Sequence, residues 1–249
     1  RLKSACLFLN KDYDKATALL EELLLGNLCV GRSLWETQIA LSAISHAKKY
    51  AAMSDQKSDS FYLLKEEKSK HPLLIIKSRP VKDDLLLELD NIKSAKLSET
   101  KACDARNGEG LCTNFELFQS SSPAIQKLSK DLSVIASEAL SKDIASLEYD
   151  SFFNIFKSGA GTIPHWHIGR KDNNFDLWLH KYSLVYYLDP GDQDCKNPGI
   201  LKMYDPDIQI LPKEGMILII PATRMHSSYY DGSKSRLMIG VNFYAFPRS

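Results

Sequence analysis

The chain has no apolar run of the roughly 18 residues that a membrane-spanning helix needs, no excess of either charge and no ordered set of cysteines. With 32 Lys and Arg against 31 Asp and Glu, its net charge of +1 gives no broad attraction to nucleic acid or to an anionic membrane. Only a local basic patch would provide one. The five cysteines, at positions 6, 29, 103, 112 and 195, are odd in number and scattered. That argues against a disulfide framework and for a reducing, cytoplasmic location. Cys103 and Cys112 flank a Gly-containing loop, yet spacing alone does not show that their Cβ atoms face each other. Arg1-Leu-Lys-Ser-Ala-Cys-Leu-Phe-Leu leads into no cleavage-like site. The first residue is not Met, and the expectation is that an N-terminal piece has been removed.

What is present is enough for one large core, or one core plus a small helical appendage: 249 residues, 44% hydrophobic and 25% charged. Residues 1 to about 54 are helical in pattern. Asp12 to Gly26 carries apolar side chains at three- and four-residue steps and stops at a glycine; a second helix runs from near Ser33 through Trp35, Ile39, Leu41, Ile44 and Ala47 to Met53. Residues 54–70 are polar and charged, which suits a linker, interrupted by Phe61-Tyr-Leu-Leu. Leu73 to Lys77 reads as a strand and Lys82 to Lys93 as a short amphipathic helix with Leu85, Leu86 and Leu89 inward. Residues 94–111 are loop-like, and a loop of that length in a compact domain is a candidate lid.

Ser122-Pro123 then opens a helix to about Leu140, with Ile125, Leu128, Leu132, Ile135 and Leu140 on one stripe. From there strand signals dominate, at Leu147–Lys157, Tyr182–Leu188, Ile200–Tyr204, Met216–Ile220 and Arg236–Phe246, separated by Gly, Pro, Asp and Asn clusters. The pattern predicts an α+β chain: a jelly roll with helices packed on one sheet, preceded by an N-terminal helical hairpin.

The chemistry concentrates near the end of the chain. A buried apolar strand from Met216 leads to His226, a polar turn follows, and a second strand begins at Arg236, ten residues on. An imidazole is a metal ligand and a guanidinium grips a carboxylate in bidentate fashion, so the layout points to a metal with an anionic co-substrate. About sixty residues upstream stands Pro164-His165-Trp166-His167. Alternate strand residues share a side, so both imidazoles can face one centre while Trp166 faces away. With His226, three nitrogens meet one face of a metal and leave the other positions open. Single histidines elsewhere, His46, His71 and His180, read as ordinary core or surface residues.

These segments, over about residues 148–246, resemble the Fe(II)- and 2-oxoglutarate-dependent oxygenases, and most of all a bacterial and phage branch of them. That branch has a His-x-His start, a Ser-x-Val-Tyr-Tyr-Leu strand and a Pro-x-x-Gly turn before the distal histidine; here Ser183-Leu-Val-Tyr-Tyr-Leu188 and Pro212-Lys-Glu-Gly215 come in that order. The resemblance implies a double-stranded β-helix over 72–249, Fe(II) and 2-oxoglutarate as cofactors, and hydroxylation of a substrate with release of succinate and CO2. It implies that Arg236 binds the distal carboxylate of 2-oxoglutarate. Relatives place a helper Ser two residues after this Arg. Met238 stands there instead, so Tyr186, Tyr187 or Asn242 would complete the anion site, and alternation alone does not choose between the tyrosines. Trp166, Trp178 and the 94–111 loop would wall the substrate.

One departure stands out. The second early ligand of the superfamily is an acid, and this chain has His167 in that slot. Three ligand sets follow: His165, His167 and His226 together; His167 first with Gly169 in the acid slot, as in relatives with a His-x-Gly word; or His165 and His226 with Asp172 or Asp176. A cupin-like three-His metalloenzyme that needs no 2-oxoglutarate is the rival reading, since Gly159 precedes His165 at nearly the cupin interval. A non-catalytic interaction module is the third. Within the helical segment 1–54, Asp12-Tyr-Asp-Lys-Ala16 resembles the middle of a tetratricopeptide repeat, with Tyr13 and Ala16 at its aromatic and small positions, which would suit a protein partner or a protein substrate; a small-molecule substrate fits equally. No nucleic-acid or membrane partner is expected.

Overall fold

The computed structural model describes residues 2–26, 32–54, 74–92, 95–96, 106–107, 110–145, 147 and 150–248. The expected linker and His71 lie outside them, as do Cys103 and most of the expected lid. Three helices come first, α1 (Leu2–Leu9), α2 (Tyr13–Leu25) and α3 (Arg32–Ser54). Asp12 caps α2 by accepting the Lys15 N–H, and Ala16 and Leu20 form its buried stripe. Later come α4 (Asp83–Asp90), which buries Leu85 and Leu89, and α5 (Pro123–Leu140), with proline in its first turn and Ile125, Leu128, Leu132 and Ala136 buried.

The strands are β1 (Ile75–Ser78), β2 (Ala95–Lys96), β3 (Arg106–Asn107), β4 (Gly110–Cys112), β5 (Lys142–Ala145), β6 (Ser151–Phe156), β7 (Ala160–His165), β8 (Lys181–Asp189), β9 (Pro198–Met203), β10 (Ile208–Ile210), β11 (Met216–Pro221), β12 (His226–Tyr230) and β13 (Arg236–Pro247). Their ladders are antiparallel and build two sheets. The larger runs β1-β11-β8-β13-β6-β4-β2, with β5 also on β13; the smaller runs β10-β9-β12-β7-β3. This is the jelly-roll arrangement that the pattern predicts. Two expectations change. The 94–111 stretch contributes β2, β3 and β4 to the sheet edges, so its described parts are strand rather than loop. His226 does not end the apolar strand β11 but opens a strand of its own, β12, after a turn at 222–225.

Alternation sorts the long strands. Tyr182, Leu184, Tyr186 and Leu188 of β8, with Ile239, Val241, Phe243 and Ala245 of β13, face α4 and α5 and form one core with Leu85, Leu128 and Leu132. The other faces of the same strands turn toward the small sheet, where Tyr187 and Met238 pack with Phe152, Phe156, Leu201 and Met203. Farther along β13 the same face carries Tyr244 and Phe246, which leave the sandwich interior and join Phe175 and Leu177 beneath α1, α2 and α3. The N-terminal helices are therefore a layer packed on one end of the sandwich. Among the described residues no helix is long and apolar enough to cross a membrane.

Candidate metal centre

His165 and His226 are direct cross-strand partners in the β7–β12 ladder, so sheet pairing alone brings their rings to 4.5 Å between centroids. His167 lies beyond the end of β7, in an irregular segment over 166–169. Its backbone N–H donates to the Ala222 carbonyl at 2.8 Å, and its ring sits 4.9 Å from that of His165 and 5.0 Å from that of His226. One ligand-capable atom from each histidine falls within 4.8 Å of the others.

The orientation of each ring has an identifiable cause. His226 Nδ1 lies 2.9 Å from the Arg224 carbonyl and His165 Nδ1 lies 2.7 Å from the Ile163 carbonyl. A protonated Nδ1 donating to a carbonyl leaves Nε2 as the lone-pair nitrogen. The free Nε2 of His226 lies 3.2 Å from His167 Nε2, close enough for His167 to donate to it in one tautomer or for both nitrogens to face one cation in the other. Burial, with His165 alongside, lowers the pKa of His226 from 6.5 to about 4, which keeps the ring in the neutral form that a metal requires.

The same cavity, open to solvent at its mouth, lies between the sheets and is also lined by Arg236, Tyr187, Asn154, Thr162, Ser183 and Ser228. Arg236 is fully buried. Its Nη1 donates to the Gly199 carbonyl at 2.7 Å and to Ser228 Oγ at 3.1 Å. Its Nε and Nη2 are buried and meet no acceptor in hydrogen-bond geometry. The Tyr187 ring lies under the guanidinium, 4.9 Å from its carbon, and among the described residues no carboxylate pairs with it. Burial lowers the Arg236 pKa and raises that of Tyr187, although the two groups partly support each other's charge. A cation in this state is costly unless an anion joins it, and the two open N–H directions suit a carboxylate.

Of the sequence-predicted residues, His165, His167, His226, Arg236 and Tyr187 converge on this cavity. Tyr186 does not. It points to the helix-side core, where its hydroxyl lies 3.2 Å from the Arg79 and Pro80 carbonyls and accepts from Arg79 Nη1 at 3.3 Å. Asn242 sits on the same face of β13 as Arg236, three alternations along, with a buried Oδ1 that meets no donor, and is not in the cavity wall. Trp166 is 57% exposed and Trp178 is half-buried; neither lines the cavity. His180 is buried against Phe246, away from the cluster. Asp176 is exposed, and the Asp172 carboxylate is engaged by Lys181, Tyr244 and the Gly169 N–H, so neither joins the histidines.

Sequence reasoning missed Ser228 and Gly199. Ser228 shares a face of β12 with His226 and accepts from Arg236 Nη1, a contact that Met238 cannot make. Gly199, at φ +78°, leaves the space that the guanidinium fills: a Cβ there would stand 1.8 Å from Arg236 Nη1.

No protein-family model matches the sequence, and no curated protein matches it. Solved structures do. A Trichoplax adhaerens prolyl hydroxylase, in complex with a hypoxia inducible factor oxygen degradation domain peptide fragment, superposes with a TM-score of 0.53 at 16% identity, covering 76% of this chain and 95% of its own. A Pseudomonas putida prolyl-4-hydroxylase gives 0.50 at 16% identity, over 75% and 98%. The non-heme alpha ketoglutarate dependent epimerase SnoN from nogalamycin biosynthesis gives 0.50 at 11%, over 73% and 82%. The chain shares the fold of these three proteins.

Proposed function

We propose that this protein is an Fe(II)- and 2-oxoglutarate-dependent dioxygenase that hydroxylates its substrate and releases succinate and CO2. The observation that carries the reading is the buried Arg236, with two unsatisfied N–H directions, in one cavity with three histidines. A cupin-like metal site has no use for that guanidinium, and an interaction module has no use for either. The division into a helical segment, 1–54, and a β-helix domain, 72–249, is part of the same reading.

His165, His167 and His226 would hold the iron through Nε2, leaving its remaining positions open. Arg236, aligned by Ser228 and the Gly199 carbonyl, would take the distal carboxylate of 2-oxoglutarate, with Tyr187 beside it. Bound together, iron and the keto acid supply the oxidising power for a C–H bond. The chain's own work is positioning and exclusion of water: Phe152, Phe156, Val185, Leu201 and Met238 give the cavity apolar walls. The peptide held by the Trichoplax enzyme supports a protein substrate, and a solvent-open cavity with polar and apolar walls suits a small molecule as well.

The test is succinate formation by purified protein. It is expected only when Fe(II), oxygen and 2-oxoglutarate are all supplied. Failure of 2-oxoglutarate to change the visible spectrum of the anaerobic Fe(II)-loaded protein would reject the reading.

A further inference from the structure

Asp172 is 2% exposed, yet it is a carboxylate away from the metal cluster. Its Oδ2 accepts the Gly169 N–H at 2.6 Å and receives Lys181 Nζ at 3.0 Å, while Oδ1 accepts the Tyr244 hydroxyl at 2.6 Å. Lys181 and Tyr244 are themselves 8% and 7% exposed, and the ammonium lies 5.6 Å from the centre of the Tyr244 ring. A buried ion pair adds little net stability, because desolvation offsets attraction. What this one supplies is direction. Asp172 stands third in a 3-10 turn, Arg170–Phe175, and reaches back to the N–H of the residue before that turn. That residue, Gly169, is two places from His167.

The surroundings make Asp172 a fixed point. Lys181 opens β8 and Tyr244 lies near the end of β13, and the two are paired in the ladder. Tyr244 packs in one cluster with Phe8, Ala40 and Ala43 of the N-terminal helices and with Phe175. The Lys181 carbonyl accepts the Ala222 N–H at 2.9 Å, and the Ala222 carbonyl accepts the His167 N–H at 2.8 Å. His167 is thus held on both sides from the Lys181 end of β8: directly through Ala222, and through Asp172 and Gly169. From this we infer that Asp172 is the positioning residue for His167 and that the helical layer, by burying Tyr244, is part of the metal site's support. The inference rests on the metal-centre reading above.

The experiment is Co(II) binding to the full chain, read as a dissociation constant by chelator competition and as the visible absorption of the bound ion. Wild type, His167→Ala, Asp172→Ala and the Asp172/His167 double variant are compared. Loss of Asp172 is expected to weaken Co(II) roughly ten- to hundredfold, the usual scale for outer partners of metal ligands, and to shift the spectrum as His167→Ala does. On the His167→Ala background it should cost nothing further, because the two changes remove one interaction. A general loosening of the fold would instead add to the loss. If Asp172→Ala does not fold, Asp172→Leu with Lys181→Met replaces the pair by apolar side chains of similar size, and the same loss is expected. Tyr244→Phe should give a smaller loss in the same direction. Folded Asp172 variants with wild-type affinity and spectrum, or losses that add to that of His167→Ala, would overturn the assignment. Wild-type protein that binds no Co(II) would overturn the metal centre itself, and this assignment with it.

Discussion

Two of the three clustered imidazoles stand on a ladder and one does not. His165 and His226 are opposed across β7 and β12, and His226 is tied on its other side to Met203 of β9 with Ser227 and Ser228 continuing that ladder. His167 stands outside the sheet, and its backbone is tied by a hydrogen bond to Ala222 and, two residues on, by the buried Asp172 network. Sheet pairing distributes the work of placement over many bonds, so a single side-chain change leaves it standing; a loop ligand placed by a few groups is open to adjustment through any of them.

His226→Ala should do the most damage. It removes the buried member of the cluster, and metal affinity should fall by about a thousandfold or more, on the scale of losing a group that anchors a buried charge; retention of stoichiometric metal would break the comparison at its firmer end. Arg236→Met should leave metal binding in place and weaken 2-oxoglutarate by roughly a hundred- to a thousandfold, the range for removing one partner of a buried, hydrogen-bonded charge pair. Equal losses of both ligands would show that the two halves of the cavity are not separate.

Acid should sharpen the contrast in metal-free protein. The folded His226 has its pKa lowered from 6.5 to about 4, so the unfolded chain binds the proton first. The associated stability is fully present above about pH 6.5 and is lost as pH falls toward 4, an effect on the order of 3 kcal/mol. Urea unfolding at pH 7 and pH 4.5 checks it against His226→Gln, in which this part of the pH dependence should vanish. His167→Ala should cost about ten- to hundredfold in metal affinity, less than His226→Ala, since a two-histidine site on the ladder survives; a larger loss than that of His226→Ala would reverse the ranking. Smallest of all, Tyr187→Phe should raise the concentration of 2-oxoglutarate needed for half-saturation by about tenfold or less, the worth of one neutral hydrogen bond.

Most helices were legible because their apolar steps are regular and their ends are marked by Asp12, Gly26 and Pro123, whereas α1, short and without such marks, was not separated from the hairpin. The long strands were legible for a similar reason. β7 and β12 were not: Gly-Thr-Ile-Pro and His-Ser-Ser-Tyr-Tyr carry too few apolar residues to read as strands, and only pairing with neighbours makes them so. The histidines and Arg236 were visible as residues at fixed intervals. Their supports were not, because Ser228 and Gly199 act across strands, and the choice of Tyr187 over Tyr186 depends on which face of β8 meets the helices. Asp172 looked like a spare ligand from its place in the chain; its partners Lys181 and Tyr244 lie 9 and 72 residues away.

Ser228, which steadies Arg236, and His226 are next-nearest neighbours on one face of β12. Two residues of strand advance the chain by roughly 6.6 Å, so on the proposed reading the interval between the cationic socket and the imidazoles would follow backbone pitch more than flexible side chains. The cavity would then act as a gauge for length. A dicarboxylic keto acid one methylene shorter or longer would seat its two ends less well, and discrimination among such acids would come from the spacing of the strand itself.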